Sequence, residues 1–300
     1  MGQATITGAS YKDTDGDGTV DRIDVVYSAD ISGSTFEAGD WSLAPAGLTV
    51  ASGSVSGSTV AININGAPAG STALVLTQVT YTATAGTDNS ITDGTNPSAD
   101  GSITVTDGTK PVISSVVPSK NSIVKVADVG YTLSEAIASG TVTYTRTGGS
   151  ADSGSPHTQN LSGAELNTRS LAALASAPTL VDGAVYTITV NATDAAGNAA
   201  TTVNIVNVTF DTTKPTVTLT KSGADLIVKD ADTETITATF NEDMTSPPTI
   251  SIGALVTTAN MCCGPRIWTY AWDVPAGNDG NHTVTVAGAD LAFNAYAGST

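Results

Sequence analysis

A repeat constrains this chain more than any other feature. The stretch "VTDGTKPVIS" at 105–114 returns as "VTFDTTKPTVTL" at 208–219, and Asp107 and Asp211 stand at the same interval before Thr-Lys-Pro. Proline fixes φ and cannot donate to a strand ladder, while the alternation after it ("PVISSVV", "PTVTLT") restarts a strand. A length of 300 residues by itself suggests about two domains. The repeat instead predicts three units, at 1–108, 109–212 and 213–300, with joints at the two proline motifs.

Two further echoes support that division. Late in the second and third units, "TVNATDAAGNAA" (189–200) resembles "TVAGADLAFNAY" (285–296), so that Asp194 and Asn198 match Asp290 and Asn294. In the first unit "TYTATAGTDNSITD" (80–93) holds the same late position, with a looser match. Early in each unit, "VVYSAD", "VGYTLSEA" and "ITATFNED" alternate apolar residues and then reach a carboxylate, Asp30, Glu135 or Glu242. Short alternating strands with Gly/Asn/Asp turns every eight to twelve residues indicate stacked β-sandwiches. Helical periodicity is confined to "SGAELNTRSLAALASA" (162–177), where a turn or two is expected.

Composition fits short strands. The chain is 40% hydrophobic but only 5% aromatic, which gives each unit a modest core. Its formal charge of −17 repels nucleic acid and anionic membrane surfaces and favours cations as partners. No apolar run approaches the eighteen or so residues of a membrane span, so direct membrane insertion is not expected. The opening "MGQATITG" lacks the regions of a signal peptide and reads as the start of an excised segment of a longer chain.

The second unit, "PSKNSIVKVADVGYTLSEAIASGTVTYTRTGG…VYTITVNATDAAGNAATT…VTFDTTKP", resembles the bacterial immunoglobulin-like repeats of large surface and adhesin proteins. The third unit resembles another subtype of that superfamily, and the first is similar to modules of secreted and surface-layer-like proteins. The resemblance implies an all-β chain of three tandem Ig-like β-sandwich domains arranged as an elongated rod, located outside the cell or on the bacterial surface. It says little about function, because such repeats serve as stalks, spacers, lattice units and ligand binders. One departure stands out: Phe293 occupies the small-residue position of the "DxAGN" turn, which puts that turn's geometry in doubt.

The most specific chemical signature is "DTDGDGTVDRID" at 13–24. Asp13, Asp15 and Asp17 fill the first, third and fifth positions of a calcium loop, and Gly18 the sixth, where the chain turns sharply. Thr19 offers its backbone carbonyl at the seventh, Asp21 stands at the ninth, and Asp24 takes the twelfth in place of the usual Glu. Aspartate reaches less far than glutamate there, which loosens the site or draws the chain inward. Five carboxylates at this spacing repel one another without a cation, so Ca²⁺ is the expected cofactor; the competing reading is a soluble acidic turn. Strands rather than helices flank the loop.

Other candidates carry less. Asp107, Glu135, Asp194, Asp211 and Asp290 stand near the joints, where carboxylates of adjacent units could converge on calcium; alternatively each Asp caps its own turn. "WTYAWD" places Trp268, Tyr270 and Trp272 on one face of a strand, which reads as core rather than as a sugar-stacking strip. Cys262 and Cys263 are adjacent, and a vicinal disulfide, a link to another chain and a free pair all remain open. Lys221, Asn294 and Glu242 form a weak candidate set for an intramolecular Lys–Asn bond. No nucleophile elbow, phosphate loop or dinucleotide fingerprint occurs, so no enzymatic activity is expected.

The sequence therefore predicts a calcium-stiffened structural or adhesive segment of a bacterial cell-surface or secreted protein, a stalk or display module. Its expected partners are neighbouring Ig-like domains of the same longer chain, with surface glycans or proteins as targets. The alternatives are a subunit of an extracellular filament or surface layer, which would pack against other copies, and a carbohydrate-binding accessory module of an exported enzyme.

Overall fold

The computed structural model describes residues 2–44, 46–68, 78–83, 91–223 and 227–299. Positions 84–90 of the loose late echo in the first unit lie outside these. The described chain is all-β, and its only helical segments are single 3₁₀ turns at Ala38–Asp40 and Gly163–Leu166.

The first group of strands comprises β1 (Ile6–Lys12), β2 (Arg22–Tyr27), β3 (Trp41–Ala44), β4 (Thr49–Ser56), β5 (Thr59–Asn65), β6 (Gln78–Tyr81), β7 (Gly101–Thr104) and β8 (Thr106–Asp107). One sheet runs β4-β5-β2-β1-β8 and the other β3-β6-β7. Their inner faces share one apolar cluster, in which Ile23, Val25, Val60 and Ile62 of the first sheet join Trp41, Val79 and Tyr81 of the second. The next group is β9 (Ile113–Val117), β10 (Ile123–Val124), β11 (Asp128–Leu133), β12 (Ser139–Gly149), β13 (His157–Asn160), β14 (Arg169–Ala173), β15 (Ala184–Thr193) and β16 (Val203–Phe210). It forms sheets β10-β16-β15-β12-β13 and β14-β11-β9 around a second cluster that includes Val129, Tyr131, Val142, Tyr144, Tyr186 and Ile188. The last group is β17 (Val217–Lys221), β18 (Thr233–Phe240), β19 (Thr249–Ile252), β20 (Val256–Asn260), β21 (Ile267–Asp273), β22 (Val284–Ala289) and β23 (Ala295–Ser299). Its sheets, β17-β18-β21 and β20-β19-β22-β23, enclose a third cluster with Ile236, Phe240, Ile250, Trp268 and Trp272.

Alternation in the sequence becomes alternation in burial. In β15, "AVYTITVNAT", buried and half-buried residues strictly alternate, as a period of two requires when one face packs on a core. The tyrosines that fill the second core keep their polar ends satisfied: Tyr144 Oη donates to the Ala127 carbonyl (2.8 Å) and Tyr186 Oη to Asp152 Oδ2 (2.7 Å). The helical expectation for 162–177 reduces to the one 3₁₀ turn, closed by a capping box between Ser162 and Glu165. After it Arg169–Ala173 is the edge strand β14, paired antiparallel with β11, and the run "LAA" is too short for an independent helix.

Two connections place what matters for function. The exit strand β8 lies parallel to the entry strand β1, with Ser10 opposite Thr106 and Tyr11 opposite Asp107. In the same way β16 lies parallel to β10, with Ile123 opposite Thr209 and Val124 opposite Phe210. Both exits deliver an aspartate, Asp107 or Asp211, to the start of a connector whose proline, Pro111 or Pro215, is buried.

Candidate metal centres

The Asp-rich stretch is the turn between β1 and β2. Gly16 and Gly18 have positive φ (77° and 85°), the left-handed conformation that glycine adopts without a Cβ penalty. Val20 is 1% exposed and anchors the loop in the first core. Oxygens of Asp13, Asp15 and Asp21 come within 4.8 Å of one another. Each also accepts hydrogen bonds from within the loop. Asp13 accepts from the Gly16 and Gly18 amides (2.7 and 2.9 Å), and Asp15 accepts from the Asp17 amide (3.2 Å). Asp21 accepts from the Thr14 amide and hydroxyl.

The carboxylates of Asp17 and Asp24 are not part of this set. The Asp17 carboxylate accepts from the Thr19 amide (2.7 Å). Asp24 lies within β2 opposite Ser10, where Arg22 (2.8 Å) and Lys12 (3.5 Å) neutralise it. A strand residue three places past the loop faces its ladder neighbours, and the two cations of the paired positions Lys12 and Arg22 hold it there. The loop thus presents a three-carboxylate set of hard oxygen donors, the chemistry that suits Ca²⁺. It also abuts the next unit, since a Cβ built on Gly18 would stand 3.9 Å from Val112 Cγ2.

Two more acidic clusters lie at the joints: Asp107, Glu135 and Asp194, and Asp211, Glu242 and Asp290, each with oxygens within 4.8 Å of one another. One device builds both. In the first, the Asp194 amide donates to the Asn198 carbonyl (3.1 Å) and the Asn198 amide to Asp194 Oδ1 (2.8 Å). In the second, the Asp290 amide donates to the Asn294 carbonyl (3.2 Å) and the Asn294 amide to Asp290 Oδ1 (2.8 Å). Each asparagine then reaches across the joint, Asn198 Nδ2 to the Asp107 carbonyl (3.2 Å) and Asn294 Nδ2 to the Asp211 carbonyl (3.0 Å). Turn capping and convergence, posed as alternatives by the sequence, are thus two parts of one arrangement. Phe293 does not disturb it, because it adopts φ 64° where Gly197 has 94° and the turn closes in both.

The connectors are tied on their other sides as well. Asp182 Oδ1 accepts the Thr212 hydroxyl (2.9 Å) and Asp182 Oδ2 the Thr213 hydroxyl (2.7 Å), and Asn241 Oδ1 accepts the Thr216 amide (2.7 Å). In the first connector the Val112 amide donates to Ser134 Oγ (2.9 Å) and the Gly108 amide to the Tyr11 carbonyl (3.1 Å). Electrostatics distinguish the second cluster. Burial pushes the carboxyls of Asp211 and Glu242 above their ordinary range, and repulsion involving Asp290 adds to both.

The remaining candidates resolve differently. Trp268 and Trp272 are each 8% exposed and pack in the third core, as the core reading of the strip expects. Cys262 and Cys263 are bonded to each other. Lys221 pairs with Glu234 (3.1 Å), whereas Asn294 and Glu242 belong to the second joint, so the Lys–Asn set does not assemble.

Residues 107–212 match the model of a family described as a bacterial Ig-like domain. The match begins at Asp107 and ends one residue after Asp211, so the two joint aspartates bracket the repeat. No curated protein and no solved structure matches the chain. Domains of this family are structural modules typical of bacterial surface proteins. Among the described residues no helix is long and apolar enough to cross a membrane.

Proposed function

We propose that this chain is a calcium-stiffened structural segment, a stalk or display module of an adhesin exported to the bacterial surface. One observation carries the reading: groups from both flanking units hydrogen-bond the connectors, the Tyr11 carbonyl with the Asn198 and Ser134 side chains at the first and the Asp182 and Asn294 side chains at the second. A chain whose domains worked independently would gain nothing from fixing its linkers, and a spacer that holds a tip away from a surface gains reach. The Asp13–Asp15–Asp21 set lies beside the first connector, where a bound Ca²⁺ would relieve carboxylate repulsion and tighten the loop against Val112.

Small-angle scattering and negative-stain imaging of the full chain, with 2 mM CaCl₂ and with EDTA, test this. Separate elongated particles whose maximum dimension narrows in distribution with calcium are expected. A compact particle, or joints equally loose in both conditions, refutes it; sheets or fibres would move the assignment to a layer or filament subunit.

A further inference from the structure

We infer that Asp211, Glu242 and Asp290 form a binding site for a hard divalent cation, Ca²⁺ being the probe of choice, which locks the third group of strands to the connector before it. The site is separate from the Asp13–Asp21 loop and needs no ion there.

Asp290 is the reason. Its residue is 0% exposed, and Oδ1 accepts two backbone amides, from Ala292 and Asn294 (both 2.8 Å). Oδ2 is buried with no hydrogen-bond partner. A buried carboxylate oxygen without a donor is expensive, and native structures fill such positions with a proton, a water or a metal ion. Here the same carboxylate converges with two others inside 4.8 Å. Oxygens bound to one Ca²⁺ at about 2.3–2.6 Å stand up to roughly 5 Å apart, so a triangle of this size closes around a single ion.

The nearby cationic side chains have other partners. Lys125 Nζ donates to the Phe293 carbonyl, and Arg266 engages Asp243 and the Asn241 carbonyl. Burial and mutual repulsion push the Asp211 and Glu242 carboxyls upward, and the Arg266 charge offsets only part of that at Glu242. The first joint shows the contrast. There Asn198 Nδ2 donates to Asp194 Oδ2 (2.8 Å) as well as to the Asp107 carbonyl, so both Asp194 oxygens are satisfied. At the second joint Asn294 Nδ2 serves only the Asp211 carbonyl and leaves the corresponding oxygen for a ligand. An ion bridging Asp211 to Glu242 and Asp290 would tie residues on both sides of the connector.

The test uses the full chain freed of metal, titrated with CaCl₂ by calorimetry and counted by native mass spectrometry. Asp290→Asn keeps an oxygen for the Ala292 and Asn294 amides while removing the charge, and the half-buried Glu242→Gln provides a second variant should the first fail to fold. Each is made in the wild-type chain and in an Asp13→Asn/Asp15→Asn background, so that loss of a loop ion and loss of a joint ion are counted separately. Either joint variant is expected to lose one calcium ion, or to weaken one binding event at least tenfold, in both backgrounds. Unchanged ion number and affinity in both variants would overturn the inference. So would an equal rise in melting temperature with and without calcium, which means that the three carboxylates share a proton and take no metal.

Discussion

Asn198 is the sharpest probe of how the joints are built. Its side-chain amide carries two hydrogens, and the structure spends both, one on the Asp107 carbonyl (3.2 Å) and one on Asp194 Oδ2 (2.8 Å). Asp194 is only 3% exposed, so water does not replace the lost donor when Asn198 is truncated to alanine. A hydrogen bond to a charged, buried acceptor is worth about 1.5–3 kcal/mol, and the neutral bond to the carbonyl about 1 kcal/mol. Asn198→Ala should therefore destabilise the middle domain by about 2.5–4 kcal/mol. For a domain near one hundred residues this lowers its melting temperature by about 10 °C or more. The tryptophans, Trp41, Trp268 and Trp272, all lie outside that domain, so calorimetry and hydrogen exchange of β15 and β16 are the suitable assays. Amides of β8 should also exchange faster, because the lost bond to Asp107 spans the joint. A loss below about 0.5 kcal/mol, the range of an ordinary surface substitution, would refute the view that this amide organises the joint.

Three other outcomes are expected. Calcium at ten times its Kd should stabilise the first domain by about 1.4 kcal/mol, a rise of several degrees in melting temperature that Asp15→Ala with Asp17→Ala abolishes. Phe293→Gly should stabilise the last domain by about 1 kcal/mol in urea melts, since Phe293 is 64% exposed and pays a left-handed penalty that glycine does not. Asp182 is held below the ordinary carboxylate range, first by the Thr212 amide and then by the Thr213 and Thr212 hydroxyls. Its folded value lies below its unfolded one, so its contribution is present above about pH 4 and lost as pH falls through the folded value. Asp182→Asn should flatten that acid limb in pH-dependent melts.

Much of the fold was legible because it rests on local signals. Period-two alternation marks β5, β15 and β18, and the Asp…Thr-Lys-Pro echo marks both connectors, since proline and turn residues act through their own backbones. The matching of Asp194 with Asp290 and of Asn198 with Asn294 was also visible. What those residues hold was not, because the acceptor carbonyls of Asp107 and Asp211 lie 91 and 83 positions away in the chain. Asp24 shows the opposite limit. Its spacing fits a calcium loop, yet Arg22 and Lys12 draw it into β2, a competition among neighbours that a ligand template does not contain. Nor could sequence tell Asp194 from Asp290, whose difference is one hydrogen bond from an amide.

The parallel pairing of exit strand with entry strand has a mechanical corollary. Tension along the chain pulls the start of β1 one way and the end of β8 the other, and β10 and β16 are loaded in the same sense. Side-by-side parallel strands drawn toward opposite ends load their cross-links together in shear, whereas a hairpin peels one link at a time. A polypeptide threaded in this way resists stretching best along the axis on which a tether would pull.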